Sequence, residues 1–314
     1  MQLSQAISGF ILFKEAEKLS THTLKLYRFH LDQLVTWRGD CQLEDVTADD
    51  LNRFMTYLRA EYRPTRANGD DSPLSSQSLY NTWTALKSFV KWTTIVLDMP
   101  DIMAGGKVPR PKVTNEERMP FTVEEVKRLL TAVKPRKSKR AVSSRQYLTD
   151  LRDQAIIITL LDTGIRAGEL CALTIGDLHA QTGRLVVTGK GGKIRHVWLG
   201  NNARPIVWRY LQERPDNDPA APLFPSGSDR PMNRNMLHKR MVAIGNRVEV
   251  PNANPHRFRY TFAIQYLRNG GDVFTLQRLL GHSSLTMVQY YLKLAQADIE
   301  DAHRRASPVD RWLK

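Results

Sequence analysis

The sequence has few cysteines, and their placement argues against a domain stabilised by disulfides or by a cysteine-ligated zinc ion. Only two occur in 314 residues, Cys41 and Cys171, and neither belongs to a Cys-x-x-Cys pair. A disulfide framework or a cysteine-ligated zinc site needs more cysteines at closer spacing. We therefore expect a chain folded by its own hydrophobic core in the cytoplasm of a cell that keeps its thiols reduced.

Long hydrophobic runs are also missing. No apolar stretch approaches the ~20 residues of a membrane-spanning helix. The apolar patch near the N-terminus runs into Lys14 and Lys18, without the features of a cleaved signal peptide. We expect no membrane association. The hydrophobic content of 41% can fill a core in each of two domains.

Acidic residues are in short supply relative to basic ones. The chain carries 46 lysines and arginines against 32 acids, a net charge of +14. Such an excess favours a polyanionic partner, with nucleic acid ahead of an anionic membrane surface. A cationic surface that is merely solvated is the alternative reading of the same composition.

What is present is first a helical N-terminal third. Two apolar stripes at helical spacing, of four residues each, predict two of its helices: Leu24, Tyr27, Leu31 and Leu34, then Leu79, Trp83, Leu86 and Val90. The stretch that follows is rich in glycine, proline and basic residues, which is typical of a linker. We predict a helical domain over residues 1–104, a linker over 105–118 and a second domain over 119–314.

The second domain opens with a helix and contains a β-hairpin. Thr122 and Glu125 have the spacing of a capping box, and two β-rich runs flank the turn formed by residues 189–192. The glycines of this turn do not form a phosphate loop, because five residues instead of four separate Gly183 from Gly189 and no Ser or Thr follows Lys190. The basic run at 134–140 is read as a solvated loop that can meet a phosphate backbone, with a localisation signal as the alternative.

Several polar residues of this domain are ambiguous one at a time. Arg166 can pair with Glu169 three residues later, Lys190 can simply top a hairpin, and His256 and Arg259 can satisfy helix ends. Structural ion pairs involve the same residue types as catalytic sites. Each residue alone therefore favours a structural role.

Their order and spacing nevertheless resemble those of the tyrosine recombinase family, closest to Xer-type and simple phage-type integrases. The similarity rests on six residues between 160 and 294: Arg166, Lys190, His256, Arg259, His282 and Tyr291. It implies a mainly α fold with a small β-sheet, in which a helical, SAM-like core-binding domain precedes a mixed α/β catalytic domain. Tyr260 departs from the pattern, because many relatives have a histidine there. The first helical region starts at the N-terminus, so we expect a simple recombination site without an arm-binding domain.

The resemblance also implies a role for each residue. Tyr291 would attack a DNA phosphodiester, Arg166, Arg259 and His282 would hold its oxygens, His256 would be the base, and Lys190 the general acid. Two choices stay open on the residues alone: Tyr290 is the alternative nucleophile, and Lys193 the alternative acid. Arginine suits the phosphate because its planar fork of donors stays charged.

We expect double-stranded DNA as the partner and no metal, cofactor or nucleotide, because the arginines supply the charge that metal ions supply elsewhere. The resemblance implies a homotetramer on paired sites, and it leaves open a monomer in solution. The C-terminal tail, with Trp312 and Leu313 as anchors, would dock on a neighbouring protomer or fold back on its own domain. A type IB topoisomerase and a non-cleaving DNA-binding regulator are the alternative functions.

Overall fold

The computed structural model describes residues 1–66, 69–114, 119–135, 144–227 and 230–282, together with Tyr291, Ser307, Val309 and Trp312. The chain divides into two compact units, Met1–Glu116 and Glu117–Lys314. The predicted fold class, mainly α with a small β-sheet, is confirmed. Among the helices described, none is long and apolar enough to cross a membrane.

The N-terminal unit is built on helices α1 (Leu3–Ala16), α2 (Thr21–Arg38), α3 (Ala48–Ala60) and α4 (Ser76–Val96). Ser20, Thr47 and Ser75 begin three of them, because each side-chain hydroxyl accepts a hydrogen bond from a backbone N–H of the first turn. Most of the two predicted stripes faces the core: Leu31, Leu34, Leu79, Leu86 and Val90 are buried, whereas Leu24, Tyr27 and Trp83 are half-buried.

Residues 107–114, within the predicted linker, pack on α3 and α4. Three hydrogen bonds hold them: Asn52 Nδ2 to the Lys107 carbonyl (2.8 Å), Trp83 Nε1 to the Val108 carbonyl (3.1 Å) and Thr114 N to Ser76 Oγ (3.2 Å). This stretch is therefore part of the N-terminal unit. Residues 115–118, at the end of the predicted linker, lie outside the described residues.

The C-terminal unit contains helices α5 (Val123–Ala132), α6 (Ser144–Thr163), α7 (Ala167–Ala172), α8 (Arg204–Gln212), α9 (Arg234–Arg247), α10 (Pro255–Arg268) and α11 (Val273–Leu280). The predicted capping box at the start of α5 is present, with Glu125 N donating to Thr122 Oγ1 and Thr122 N to the Glu125 carboxylate. Helix α6 packs against α8 and α10 in a core that includes Leu160, Ile165 and Phe258. Most of the basic run, residues 136–140, lies outside the described part.

The sheet is an antiparallel meander of β1 (Leu178–His179), β2 (Arg184–Thr188) and β3 (Ile194–Trp198). The predicted hairpin is confirmed, with Val187 opposite Arg195 and Thr188 opposite Ile194. Gly191 and Gly192 both have φ of +75° at its tip, a region that other residues rarely adopt. The hairpin, the start of α7, helix α10 and the end of α11 carry most of the site residues.

Candidate active site

Helix α11 ends in a turn that three arginines cap. Gly281, in the left-handed conformation at φ 64° and ψ 47°, ends the helix and leaves its last carbonyls without helical partners. Three guanidinium groups bind three successive carbonyls there: Arg195 Nε to Leu279 O (2.7 Å), Arg259 Nη2 to Leu280 O (2.7 Å) and Arg166 Nη2 to Gly281 O (3.1 Å). The negative end of the helix dipole attracts such cations. The end of α11 therefore gathers the arginines into one cluster.

A glycine turn brings Arg166 to this cluster. Gly164 follows α6 at φ +60°, and a Cβ there would lie 2.3 Å from Cδ1 of Phe262, so only glycine fits. Its carbonyl accepts a hydrogen bond of 2.7 Å from Arg259 Nη1. The turn thereby binds Arg259 through the carbonyl of Gly164. It also places Arg166, which comes two residues after Gly164, at the start of α7.

The Glu169 carboxylate lies between two of the arginines. Arg166 donates to it through its backbone N (2.7 Å) and through Nη1 (2.9 Å). Arg195 forms a bidentate pair with it, at 2.8 Å for each nitrogen. Burial alone would raise the pKa of Glu169, but the hydrogen bonds from Arg195 and Arg166 outweigh it and hold the pKa below its usual value. Glu169 is therefore an ionised partner that orients Arg166, as its spacing predicts.

His282 follows Gly281 and contacts Arg259. Its Nε2 lies 2.7 Å from Arg259 Nη2, and since a guanidinium can only donate, Nε2 accepts and Nδ1 carries the ring proton. Burial, together with the nearby charges of Arg259 and Arg166, lowers the pKa of His282 to about 4. The ring is therefore neutral at pH 7. Its Nδ1 is buried and has no hydrogen-bond partner among the described residues, so it is the N–H left for a further acceptor.

Arg259 is the most enclosed cation of the cluster, with 3% of its surface exposed. Burial and repulsion from Arg166 lower its pKa to about 10, while Tyr291 acts in the opposite direction. It stays charged at neutral pH. By contrast, 43% of the Arg166 side chain is exposed, and two of its five N–H groups are used by partners in the described part of the chain.

Tyr291 belongs to the same cluster. Its ring lies nearly parallel to that of His282, with 6.1 Å between centroids and 17° between planes, and it packs 5.7 Å from the ring of Tyr260. Tyr291 is 3% exposed and Tyr260 is 2% exposed. The residue that departs from the family pattern thus supports Tyr291 from one side. Tyr290, the alternative nucleophile, lies outside the described residues.

Contacts therefore join four of the six predicted residues: Arg166, Arg259, His282 and Tyr291. His256 is exposed in the first turn of α10, three residues before Arg259 and so on the same side of that helix. The backbone of Lys190 lies at the hairpin tip, and its side chain is outside the described part. The alternative acid, Lys193, is exposed, and its carbonyl accepts from Gly189 N at 2.8 Å.

Arg195 is the residue that sequence reasoning missed. Along β3 it lies on the same face as Val197, which is buried, whereas Ile194, His196 and Trp198 are exposed. A strand places alternate side chains on one face, and a charged residue on a buried face needs a partner. That alternation was the signal that could have found it.

The cluster is suited to binding and polarising a phosphate. Among the described residues of the cluster, three guanidinium groups face one carboxylate, which leaves a net positive site with donors directed by fixed carbonyls and by Glu169. Within the part of the chain described, no group of three or more His, Cys, Asp or Glu side chains could hold a metal ion.

Comparisons with known proteins find relatives for both parts of the chain. Residues 120–298 match the Phage integrase family, and residues 10–94 match the Phage integrase, N-terminal SAM-like domain. The chain is 28% identical to tyrosine recombinase XerA of Thermococcus kodakarensis, over 99% of this chain and 98% of the relative. It is 29% identical to tyrosine recombinase XerC of Pelobacter propionicus, over 98% of this chain and 97% of that relative. Its fold is similar to that of XerH site-specific recombinase bound to a palindromic difH substrate, with a TM-score of 0.69, 19% identity, and coverage of 93% of this chain and 82% of the other.

Proposed function

The chain belongs to the phage integrase family of tyrosine recombinases, and from this membership we propose that Tyr291 attacks a DNA phosphodiester held by Arg166 and Arg259. As a member, the protein is an enzyme that recombines DNA at specific sites by cleaving and rejoining strands. One observation carries the assignment of the residues: Arg166, Arg259 and His282 converge on the end of α11, with the Tyr291 ring stacked on His282.

The arginines bind the two non-bridging oxygens of the phosphate in this proposal. Attack by an oxygen nucleophile places more negative charge on those oxygens, so donors already fixed in position lower the barrier. Arg166 supports this role because its exposed guanidinium has N–H groups left for a ligand. Arg259 adds a charge that is buried beside it, and Nδ1 of His282 adds a neutral donor.

The chemistry conserves the bond energy of the strand. The Tyr291 oxygen forms a bond to phosphorus, the bond from phosphorus to the 5′ oxygen breaks, and a 3′-phosphotyrosyl ester results. Two protons move: His256 takes the phenol proton, and Lys190 at the hairpin tip gives one to the departing 5′ oxygen. Lys193 is the alternative donor. Reversal of these steps with another 5′ hydroxyl rejoins the strands.

DNA is the partner, and four protomers on two paired sites would carry out the exchange. The net charge of +14 favours contact with phosphates. Two residues of the C-terminal tail, Val309 and Trp312, are exposed by 56% and 79%, which supports docking of this tail on a neighbouring protomer. Leu313, the other predicted anchor, lies outside the described residues. The domain roles are part of the same proposal, with DNA binding in the N-terminal unit and catalysis in the C-terminal unit.

Covalently trapped DNA tests this function. Cells expressing the protein are lysed in denaturing detergent, and the DNA that stays attached to the protein is purified and sequenced. The wild type should yield attachments at a small set of related sequences, and Tyr291→Phe should yield none while binding DNA as well as the wild type. Binding without any attachment by the wild type would instead indicate a non-cleaving regulator.

A further inference from the structure

Arg195 on β3 makes three hydrogen bonds, two to Glu169 and one to the carbonyl of Leu279, and both partners belong to the candidate site. We propose that Arg195 is a positioning residue, which holds Arg166 in place through Glu169 and fixes the turn that carries His282 through the carbonyl of Leu279. This inference rests on the proposed function, because it concerns the same phosphate site. Arg195 acts through these neighbours and is not assigned a contact with DNA.

The geometry of the three contacts requires an arginine. Both terminal nitrogens bind Glu169, at 2.8 Å each, and Nε binds Leu279 O at 2.7 Å. The carboxylate and the carbonyl therefore lie on two sides of the planar guanidinium, whose N–H groups point in fixed directions toward both. Lysine keeps the charge but concentrates it on a single nitrogen, so it cannot bridge the carboxylate and the carbonyl in the same way.

The contacts are enclosed, so water cannot easily replace them. The exposed fraction is 13% for the Arg195 side chain and 6% for that of Glu169. Without Arg195, each oxygen of Glu169 keeps one donor, and both of those donors come from Arg166. The carboxylate is then free to rotate toward Arg166, and the guanidinium that should bind the phosphate follows it.

Space around Arg195 is also limited on the side of the turn. A Cβ on Gly281 would lie 3.2 to 3.3 Å from Cδ, Cζ and Nε of Arg195, so the side chain packs directly on this backbone. On the hairpin side, a Cβ on Gly189 would lie 3.6 Å from Glu169 Oε1 and 3.7 Å from Arg195 Nη1. The side chain therefore fills the gap between the end of α11 and the start of the hairpin tip.

This placement links the general acid to the phosphate site. The backbone of Arg195 pairs with Val187 inside the hairpin, whose tip carries Lys190. The side chain of Arg195 binds Glu169 and the end of α11. A shift of the hairpin would therefore move Arg166 and His282 with it. Arg195 thereby keeps the donor for the leaving oxygen and the donors for the phosphate in register.

The test compares Arg195→Gln and Arg195→Lys with Arg184→Gln, an exposed arginine on the neighbouring strand of the same sheet. Each full-length variant is mixed with a nicked duplex that carries a site recovered by covalent trapping, at saturating DNA. The rate of covalent attachment, the Kd for DNA and the unfolding midpoint are measured in parallel. The same measurements on Glu169→Gln and on Glu169→Gln/Arg195→Gln report whether the two residues act together.

Arg195→Gln should slow attachment about 10- to 100-fold, the loss expected when reacting groups are displaced by about 1 Å, while Kd changes less than about twofold. Arg195→Lys should be more stable than Arg195→Gln but should attach as slowly. The double variant should be little slower than Glu169→Gln alone. Arg184→Gln should react like the wild type. An unchanged rate for Arg195→Gln, or a rate loss that is fully additive with Glu169→Gln, would overturn the inference. If the wild type itself forms no attachment, the proposed function fails instead.

Discussion

Replacing Glu169 by glutamine should cost both stability and activity, and the structure separates the two effects. The carboxylate accepts four N–H groups, two from Arg166 and two from Arg195. In Glu169→Gln one oxygen becomes an NH₂ group, so two of these contacts place a donor against a donor. The charge that balances the two arginines is lost as well.

The magnitude follows from these contacts. Hydrogen bonds to a charged group contribute about 1.5 to 3 kcal/mol each, so the loss of two gives about 3 to 6 kcal/mol. Removing one member of a buried ion pair gives a similar figure, about 3 to 5 kcal/mol. Because 43% of the Arg166 side chain is exposed and water can solvate it, we expect the lower end, about 3 kcal/mol.

Glu125→Gln is a matched control in the same unit. Glu125 is also enclosed, accepts Thr122 N at the start of α5 and binds Arg257 Nη2 at 3.0 and 2.8 Å. Urea unfolding of the C-terminal unit should show a loss of the same order for both variants. Only Glu169→Gln should slow covalent attachment to a nicked substrate at a temperature where both proteins are folded, by about 10- to 100-fold.

Two results would refute this reasoning. If Glu169→Gln is as stable as the wild type, the four contacts do not form as described. If Glu125→Gln slows attachment as much as Glu169→Gln does, the rate reports general destabilisation and not the orientation of Arg166.

Three further predictions concern the turn, the histidine and metal ions. Gly164→Ala should destabilise the protein by about 2 to 5 kcal/mol, because it adds overpacking to the strain of a left-handed backbone. Gly192→Ala, at φ +75° with nothing within 4 Å of the added Cβ, should show only the backbone strain of about 1 to 2 kcal/mol. Urea unfolding of the two variants measures the difference. The pKa of His282 is about 4 in the folded protein, against an ordinary value of 6.5, so the unfolded chain protonates this imidazole at a higher pH than the folded protein does. Between pH 6.5 and 4 the wild type should therefore lose more stability than His282→Asn, which lacks the imidazole. Covalent attachment should proceed at an unchanged rate in excess chelator; a dependence on added metal would contradict the roles given to the arginines.

Features that depend on neighbours three or four residues apart could be predicted from the sequence. The capping box of Thr122 and Glu125 and the pairing of Arg166 with Glu169 are of this kind, since a helical turn brings such residues together. The hairpin could be predicted because β-rich runs flank a glycine-rich turn.

Features that depend on tertiary packing could not be predicted in this way. The partners of Arg195 lie 26 and 84 residues away along the chain, so only the folded protein brings them together. The neutral state of His282 depends on burial and on arginines from other elements. The choice of Tyr291 over Tyr290 rests on the family resemblance, because the residues alone leave both tyrosines open.

The identity of the attacking residue is the claim on which the proposed mechanism depends most directly. Wild-type protein is trapped on a nicked duplex carrying a recovered site, digested with protease and nuclease, and the peptide that retains a nucleotide is fragmented in a mass spectrometer. The proposed mechanism predicts the nucleotide on Tyr291, with the adduct absent in Tyr291→Phe and retained in Tyr290→Phe. A nucleotide on Tyr290, or on any other side chain, would contradict it.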